Sequence, residues 1–437
     1  MRSRKTFPFA FALSLFAVGC AESPAPPDEL VDCADASKPG CVVASDKQRI
    51  TNPSVPVADQ KAAVLGNTAF ALDLYQQLRT EKGNLFYSPL SISEALAMTY
   101  AGARGETETQ MAKALHFDLP QAQLHPAFNA LDLALAQLGQ GAAGKDGKGF
   151  RLNISNALWS QSGESLAAPF LDTLGQNYGA GVHVVDFIGA AESSRTMINE
   201  WVAKKTEDKI KNLLPQGSIS SDTRLVLTNT VYFNAAWQTP FETSNTKLAS
   251  FTRGDSSKVE VQTMTGYQEM PYGEGADYAA VALPYDGNEL SMVMILPPQG
   301  GLDAFEASLT PARLTTLLDT MGGRGVSITL PRFKVESSFS LADQLSKLGM
   351  TAAFSDAADF TGINPKGGLS IGSVVHKAFV DVDEAGTEAA AATAVTIGVT
   401  SAPEPAEIHL DHPYLFLIRD NKSGTILFLG RVEDPSP

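Results

Sequence analysis

Cysteine is scarce in this chain, which limits how most of it can be held together. The 437 residues contain three cysteines, and none follows Cys41. Everything after that position must be stabilised by a hydrophobic core rather than by disulfides. The sequence also lacks paired-cysteine and HExxH zinc motifs and a phosphate-binding loop. We therefore expect no metal and no cofactor.

Basic charge is the second shortage. The chain has 33 Lys and Arg against 48 Asp and Glu, a formal net charge of −15 at pH 7, and its pI is about 4.9. Because like charges repel, this balance argues against nucleic acid, heparin-like polyanions and anionic membrane surfaces as partners. A hydrophobic content of 44% and a mean hydropathy of −0.04 are ordinary for a globular protein.

The first residues have the features of an export signal. Three basic residues precede the apolar run Phe7–Val18, which is too short to span a membrane as a mature helix. Small residues then lead to Cys20, as in a bacterial lipobox, although Ala17 stands where Leu is usual. Residues 1–19 are therefore predicted to be a lipoprotein signal peptide that leaves Cys20 lipidated. A plain secretory signal is the alternative.

Export fixes the expected compartment. Ala21 rather than Asp after Cys20 favours the outer membrane, so we expect a lipoprotein in the periplasm or on the cell surface, or otherwise a secreted protein. Any membrane contact would be made through the lipid anchor alone. Residues 20–58 contain six prolines and are predicted to be a flexible tether. In an oxidising compartment, Cys33 and Cys41 are expected to form a small-loop disulfide.

Residues 59–437 are predicted to form one domain whose elements change type along the chain. Helical spacing predicts helices such as Ala62–Arg79 in the first half, and apolar runs predict strands such as Leu225–Phe233 in the second. A further helix is predicted at Ser338–Leu348. Helices followed by strands indicate a single large α+β domain with mainly antiparallel sheets.

Two motifs suggest chemistry, but their context is wrong. Gly368–Gly372 matches the GxSxG nucleophile motif, which needs a strand before Ser370 and a helix after it, whereas a loop precedes this serine and β-type sequence follows. His409 and His412 would point to opposite faces of an extended segment, which excludes a metal-binding pair. We predict no catalytic residue and no metal ligand. An exported hydrolase built on Ser370 is the enzyme alternative.

One stretch, Asp383–Ser401, has contradictory propensities. Its alanine run favours helix, whereas Thr393–Val399 is rich in β-branched residues and favours strand. Counting by twos from Thr387 to Ile397 gives a face of Thr, Ala, Val and Ile only. A strand with so small a face could slide between two existing strands without a clash. A flexible Ala/Thr/Gly linker is the alternative.

Five separate stretches resemble characteristic segments of one protein family, the serpins, over residues 59–435. They occur in the family's order and at its spacing, with Tyr414 where Phe is usual, and are Asn84–Ile92, Leu227–Phe241, Leu330–Phe333, Val375–Ala378 and Asp411–Ile418. The resemblance implies a serpin-like α+β fold with three mostly antiparallel β-sheets, about nine helices and an exposed reactive-centre loop.

The resemblance also implies a role for the contradictory stretch, which is similar to the hinge of an inhibitory serpin. In such proteins the target protease attacks the loop and forms an acyl-enzyme, and the freed loop inserts as a new strand of the main sheet. The uncleaved form is then a kinetic trap. The hinge residues are Glu384, Gly386, Thr387, Glu388, Ala389, Ala390, Ala391, Ala392 and Thr393.

Loop length predicts the reactive bond. Family inhibitors usually place it seventeen residues from the hinge acid, counted inclusively, which from Glu384 gives Thr400–Ser401. Counting back from Pro413 instead favours Ala402, and Val399 is a further alternative. Because these residues are small, the expected target is an elastase-like or subtilisin-like serine protease with a shallow pocket. A cysteine protease is also compatible.

The resemblance assigns a buried network as well. Ser88, Ser91, Asn229 and His376 match the family's shutter, a polar network under the main sheet, and Trp237 matches the breach, where insertion begins. Such a network can bond differently in a closed and an open sheet. We therefore expect a monomeric suicide-substrate protease inhibitor rather than an enzyme. The alternative is a non-inhibitory serpin that acts as a binding or chaperone-like protein.

Overall fold

The computed structural model describes residues 31–33, 36–144, 146–147, 149–387 and 404–436. The predicted signal peptide and Cys20 lie outside these ranges. In the described part of the chain, no helix is long and apolar enough to cross a membrane. The predicted α+β class is confirmed, since nine α-helices and two hydrogen-bonded sheet networks occur in these ranges.

The helices lie mostly in the first half of the chain. They are α1 (Val57–Leu78), α2 (Pro89–Tyr100), α3 (Gly105–Leu115), α4 (Gln121–Leu135), α5 (Ala168–Tyr178), α6 (Phe187–Lys205), α7 (Leu302–Ser308), α8 (Pro311–Asp319) and α9 (Ala342–Lys347).

The strands dominate the second half. They are β1 (Val31–Asp32), β2 (Cys41–Val43), β3 (Leu85–Tyr87), β4 (Arg151–Gln161), β5 (Val182–Val185), β6 (Leu225–Ala236), β7 (Lys247–Thr252), β8 (Lys258–Glu274), β9 (Ala279–Pro284), β10 (Leu290–Leu296), β11 (Gly322–Pro331), β12 (Phe333–Ser340), β13 (Ser373–Asp383), β14 (Gly386–Thr387), β15 (Ala406–His409), β16 (Tyr414–Asp420) and β17 (Ile426–Val432).

The main sheet has the strand order β1-β2-β5-β4-β6-β14-β13-β12, and β6 also pairs directly with β13. The second network has the order β15-β11-β8-β9-β10-β16-β17-β3, with β7 paired to β8. The long strand β8 is shared: it pairs with β7 and β11 along most of its length and with β9 at its end. Because of this shared strand, two of the three expected sheets are joined into one hydrogen-bonded network.

Helix α2 lies in the core between the two networks. Pro89 occupies its first turn, and the Ser88 hydroxyl accepts a hydrogen bond from the Ser91 N–H at 3.3 Å, which caps the helix. All twelve residues of α2 are buried, and the helix contacts β4, β6 and β17. The polar side chains of this helix are therefore held directly against the central strands of the main sheet.

The predicted tether is wrong for residues 41–50, which pack against the domain. β2 pairs antiparallel with β5 and so extends the main sheet. Arg49 donates hydrogen bonds to Asn129 at 2.9 Å and Asp132 at 2.5 Å, both on α4. Cys33 and Cys41 form a disulfide. The valines beside Cys41 supply strand propensity, and pairing with a free sheet edge outweighs the proline-rich composition around them.

The helix predicted at Ser338–Leu348 begins too early. Ser338 and Phe339 belong to β12, where Phe339 lies opposite His376 of β13, and only Ala342–Lys347 are helical. Apolar residues alternate with exposed ones along most of β12. Cross-strand pairing with β13 therefore decides the local structure against the weaker helical spacing.

Candidate functional site

The two central strands of the main sheet pair directly over only part of their length. Ser373–Ala378 of β13 runs parallel to Val226–Val231 of β6, with His376 opposite Asn229. Further along, the short strand β14 lies between them and pairs antiparallel with both. The sheet is therefore closed at one end and already separated by a strand at the other.

Four of the predicted residues meet at the closed end. Asn229 is central: its Nδ2 donates to the Ser91 hydroxyl, and its Oδ1 is hydrogen-bonded to His376 Nδ1. Ser88 contributes its backbone N–H, which donates to His376 Nε2 at 3.1 Å. Each of the four is at most 1% exposed. The structure thus brings Ser88, Ser91, Asn229 and His376 into one buried network.

His376 is neutral in this network. Its Nε2 accepts from a backbone N–H, so the ring proton must be on Nδ1, which donates to Asn229. Burial lowers the pKa of His376 to about 3, because the charged ring would lose its hydration. The ring also stacks on Phe339 at a centroid distance of 6.4 Å. The closed sheet therefore depends on one uncharged tautomer of this histidine.

Sequence reasoning missed a fifth member of the network, Asn156 of β4. Its Oδ1 accepts hydrogen bonds from the Ser91 hydroxyl at 3.1 Å and from Asn229 Nδ2. A signal was present, because Asn156 occupies the apolar face of an alternating strand with Leu152, Ile154 and Leu158. A polar side chain at such a position needs a buried partner.

At the other end, the start of the hinge is already a strand. Gly386 lies opposite Ala236 of β6, and Thr387 lies opposite Ala235. Thr387 is 1% exposed, and its hydroxyl is hydrogen-bonded to the Tyr285 hydroxyl at 2.9 Å. The predicted inward face of Thr387 therefore agrees with its burial. Tyr285 had not been singled out from the sequence.

Gly386 is required by the close approach of β6. Its φ is +147°, and a Cβ at this position would lie 2.2 Å from the Ala235 carbonyl oxygen. We predict that Gly386→Ala displaces β14 from the sheet. The Trp237 N–H, which donates to the Ala385 carbonyl at 2.9 Å, should then exchange with deuterium at least tenfold faster. Unchanged exchange at Trp237 would contradict this prediction.

Trp237 lies beside the end of β14, as expected for a breach residue. Its indole Nε1–H donates to the Asp383 carbonyl at 2.9 Å. Its ring stacks on Tyr285, with centroids 4.7 Å apart and planes inclined by 15°. Trp237 therefore contacts the hinge through its backbone and its side chain, and it positions the tyrosine that binds Thr387.

The hinge acid Glu384 is held by a residue that sequence reasoning had not assigned. Arg332 donates to Glu384 Oε1 from Nε at 2.9 Å and from Nη2 at 2.6 Å, and the Thr246 hydroxyl donates to the same oxygen. Burial by itself would raise the pKa of Glu384, but these hydrogen bonds outweigh it and lower the pKa. Arg332 falls within the Leu330–Phe333 segment of the family resemblance, which was the available signal.

Several predicted residues lie outside the described part of the chain. They are the hinge residues Glu388, Ala389, Ala390, Ala391, Ala392 and Thr393, the reactive-bond candidates Val399, Thr400, Ser401 and Ala402, and the lipidation site Cys20.

In the described part of the chain, neither rejected motif has the local structure that its chemistry needs. Ser370 is followed by β13 rather than by a helix, so the strained turn of a nucleophile elbow is missing. His409 contacts Thr329 at 3.1 Å, whereas His412 contacts Asp411 at 2.7 Å. Within the described residues, no group of three His, Cys, Asp or Glu side chains is placed to hold a metal.

Comparison with known proteins identifies the family. The family model described as Serpin (serine protease inhibitor) matches residues 65–435. A leukocyte elastase inhibitor from Sus scrofa is 41% identical over 381 residues, covering 84% of this chain and 98% of that protein. An uncharacterized serpin-like protein from Methanosarcina acetivorans is 35% identical over 434 residues, covering 97% of each.

The fold leads to the same family. The native state of the thermophilic serpin Tengpin superimposes with a TM-score of 0.78 at 29% identity, covering 90% of this chain and 97% of that one. The chain therefore belongs to the serpin family.

Proposed function

We propose that this protein is a suicide-substrate inhibitor of a serine protease, and that its cleaved reactive loop inserts between β6 and β13. The observation that carries the proposal is the position of β14. Gly386 and Thr387, the last described residues of the hinge, already lie between those two strands and pair with both. A strand that continued both pairings beyond Thr387 would run along the line where the sheet is now closed.

The existing pairings define the register of the inserted strand. Thr387 lies opposite Ala235 of β6 and Val382 of β13. Continuing both antiparallel ladders by six residues brings Thr393 opposite Asn229 on one side and His376 on the other. In the inserted form, Thr393 therefore separates the two residues that are now hydrogen-bonded across the closed sheet.

Insertion must break the hydrogen bond between Asn229 and His376. Neighbouring strands lie about 4.8 Å apart, so a strand between them doubles the separation to about 9.6 Å. Residues directly opposite one another on neighbouring strands point to the same face of the sheet. The Thr393 hydroxyl would therefore lie between the side chains of Asn229 and His376, where each has lost the other as its partner. The alternating small face from Thr387 to Ile397 fits this path because it adds little volume above α2.

The reactive bond and the target follow from the loop sequence. We propose cleavage at Thr400–Ser401, with Val399 and Ala402 as alternative positions for the residue before the cleaved bond. Small residues suit the shallow pocket of an elastase-like or subtilisin-like protease. The inhibitory relatives support this class, since the protein from Sus scrofa carries the name leukocyte elastase inhibitor.

Mixing the full chain with an elastase, and separately with subtilisin, tests the proposal. We predict a covalent complex that survives denaturing gel electrophoresis, together with release of the segment after Thr400, identified by its mass. The same protease with its catalytic serine replaced by alanine is the control and should form no such complex. Complete cleavage near Thr400 by a protease that stays fully active would overturn the proposal in favour of a non-inhibitory serpin.

A further inference from the structure

Glu94 is a buried acid that the proposed inhibition does not use. It lies on α2 and is 5% exposed. Its Oε2 accepts one long hydrogen bond, from Asn156 Nδ2 at 3.4 Å, and its Oε1 is buried without a hydrogen-bond partner among the described residues. A carboxylate with so little compensation is unfavourable in the interior. The closed structure is therefore better suited to the neutral acid.

Two charged groups act on this carboxyl, Asp132 on α4 and Arg49 in the N-terminal segment. A Glu94 carboxylate would in turn raise the pKa of Tyr178 on α5. Burial raises the pKa of Glu94 well above its usual value, the Asp132 carboxylate raises it further, and Arg49 lowers it. Arg49 also forms an ion pair with Asp132 at 2.5 Å. The charge state of Glu94 thus depends on a pair that can be altered by mutation.

One amide links Glu94 to the closed end of the sheet. Asn156 donates to Glu94, while its oxygen accepts from Ser91 and Asn229. Asn229 in turn is hydrogen-bonded to His376 across the line where the sheet must open. Two hydrogen bonds therefore connect Glu94 to Asn229, through Asn156. A change in the protonation of Glu94 can alter the position of Asn229 and so its bond to His376.

We propose that Glu94 is an acid–base switch for opening of the main sheet, in which the neutral acid favours the closed sheet and the carboxylate favours the open one. The carboxylate requires donors, and within the described ranges the closed arrangement offers it only the shared amide of Asn156. Opening shifts β4 and β6 relative to α2, which admits donors or water to the carboxylate. The expected effect on the rate of strand insertion rests on the proposed insertion between β6 and β13. The expected effect on thermal unfolding does not.

The test compares the wild-type chain with Glu94→Gln, which imitates the neutral acid at every pH. A synthetic peptide with the sequence of residues 387–398 is added between pH 5.5 and 8.5, and its rate of incorporation is measured. We expect the wild-type rate to rise at least threefold with pH and the Gln rate to stay at the low-pH value. Equal pH dependence in the two proteins would overturn the inference.

Thermal unfolding without peptide gives an independent measure. The pKa of Glu94 is higher in the folded than in the unfolded chain, so its stabilising contribution is present at low pH and is lost as pH rises through the folded value. The melting temperature of the wild type should therefore fall relative to that of Glu94→Gln as pH rises. A constant difference would also overturn the inference.

Two further variants separate electrostatics from packing. Arg49→Gln should move the midpoint of the pH effect upward, and Asp132→Asn should move it downward. Asp172→Asn, which removes a different ion pair with Lys47, is the matched control and should leave the midpoint in place. If the peptide is not incorporated at any pH, the proposed function fails, and the melting temperatures still test the role of Glu94. If the peptide is incorporated at a rate that does not depend on pH, the proposed function stands and only the switch is refuted.

Discussion

Replacing Thr387 with arginine is expected to abolish inhibition and leave the protein an efficient substrate of its target protease. Thr387 is 1% exposed, and its hydroxyl is bonded to the buried Tyr285. An arginine here would bury a cation without a carboxylate partner, which costs several kcal/mol. Insertion would stall at its first residue, so the acyl-enzyme would be hydrolysed before it is trapped.

The measurement is the molar ratio of inhibitor to protease needed for complete inhibition. We expect at least a tenfold increase for Thr387→Arg, with cleaved protein as the main product on a denaturing gel. Thr387→Ser keeps the hydroxyl and should retain inhibition. Glu404→Arg places the same charge at an exposed position and controls for effects on protease binding. Full inhibition by Thr387→Arg would show that Thr387 need not be buried for trapping.

The sequence was sufficient to assign those site residues that lie in segments resembling the family. Ser88, Ser91, Asn229 and His376 were assigned together because each falls within a stretch that resembles the family, and they meet at one point of the main sheet. Their partner Asn156 was missed, since its strand carries no such stretch. Only the sheet pairing of β4 with β6 brings Asn156 opposite Asn229.

Long-range contacts explain the other differences. Tyr285 reaches Thr387 across about a hundred residues of sequence, and local patterns contain no information about such a contact. Composition predicts a tether for the N-terminal segment, because such a segment cannot form a core alone. It is ordered by a surface that exists only after folding, namely the free edge of β5 and the polar groups of α4.

The second large expected effect is a loss of folding stability at low pH. His125 and His376 are buried and His183 is partly buried, and removal from water lowers the pKa of His125 and His183 to about 4 and that of His376 to about 3. In the unfolded chain each titrates near 6.5. Below that pH the unfolded state binds more protons than the folded state, so stability falls as pH falls. Between pH 7.5 and 5 the three histidines by themselves should remove roughly 6 kcal/mol from the free energy of unfolding.

Denaturant unfolding at several pH values measures this loss. His376→Gln removes one of the three groups and should reduce the pH-dependent loss by about a third, whatever it does to stability at neutral pH. His409→Gln is the matched control, because its side chain is 56% exposed and should leave the loss unchanged. The stability regained as pH rises from 5 towards 6.5 would then come from neutral histidines, including His376, which links β6 and β13. An equal pH-dependent loss in the wild type and in His376→Gln would contradict the neutral state assigned to His376.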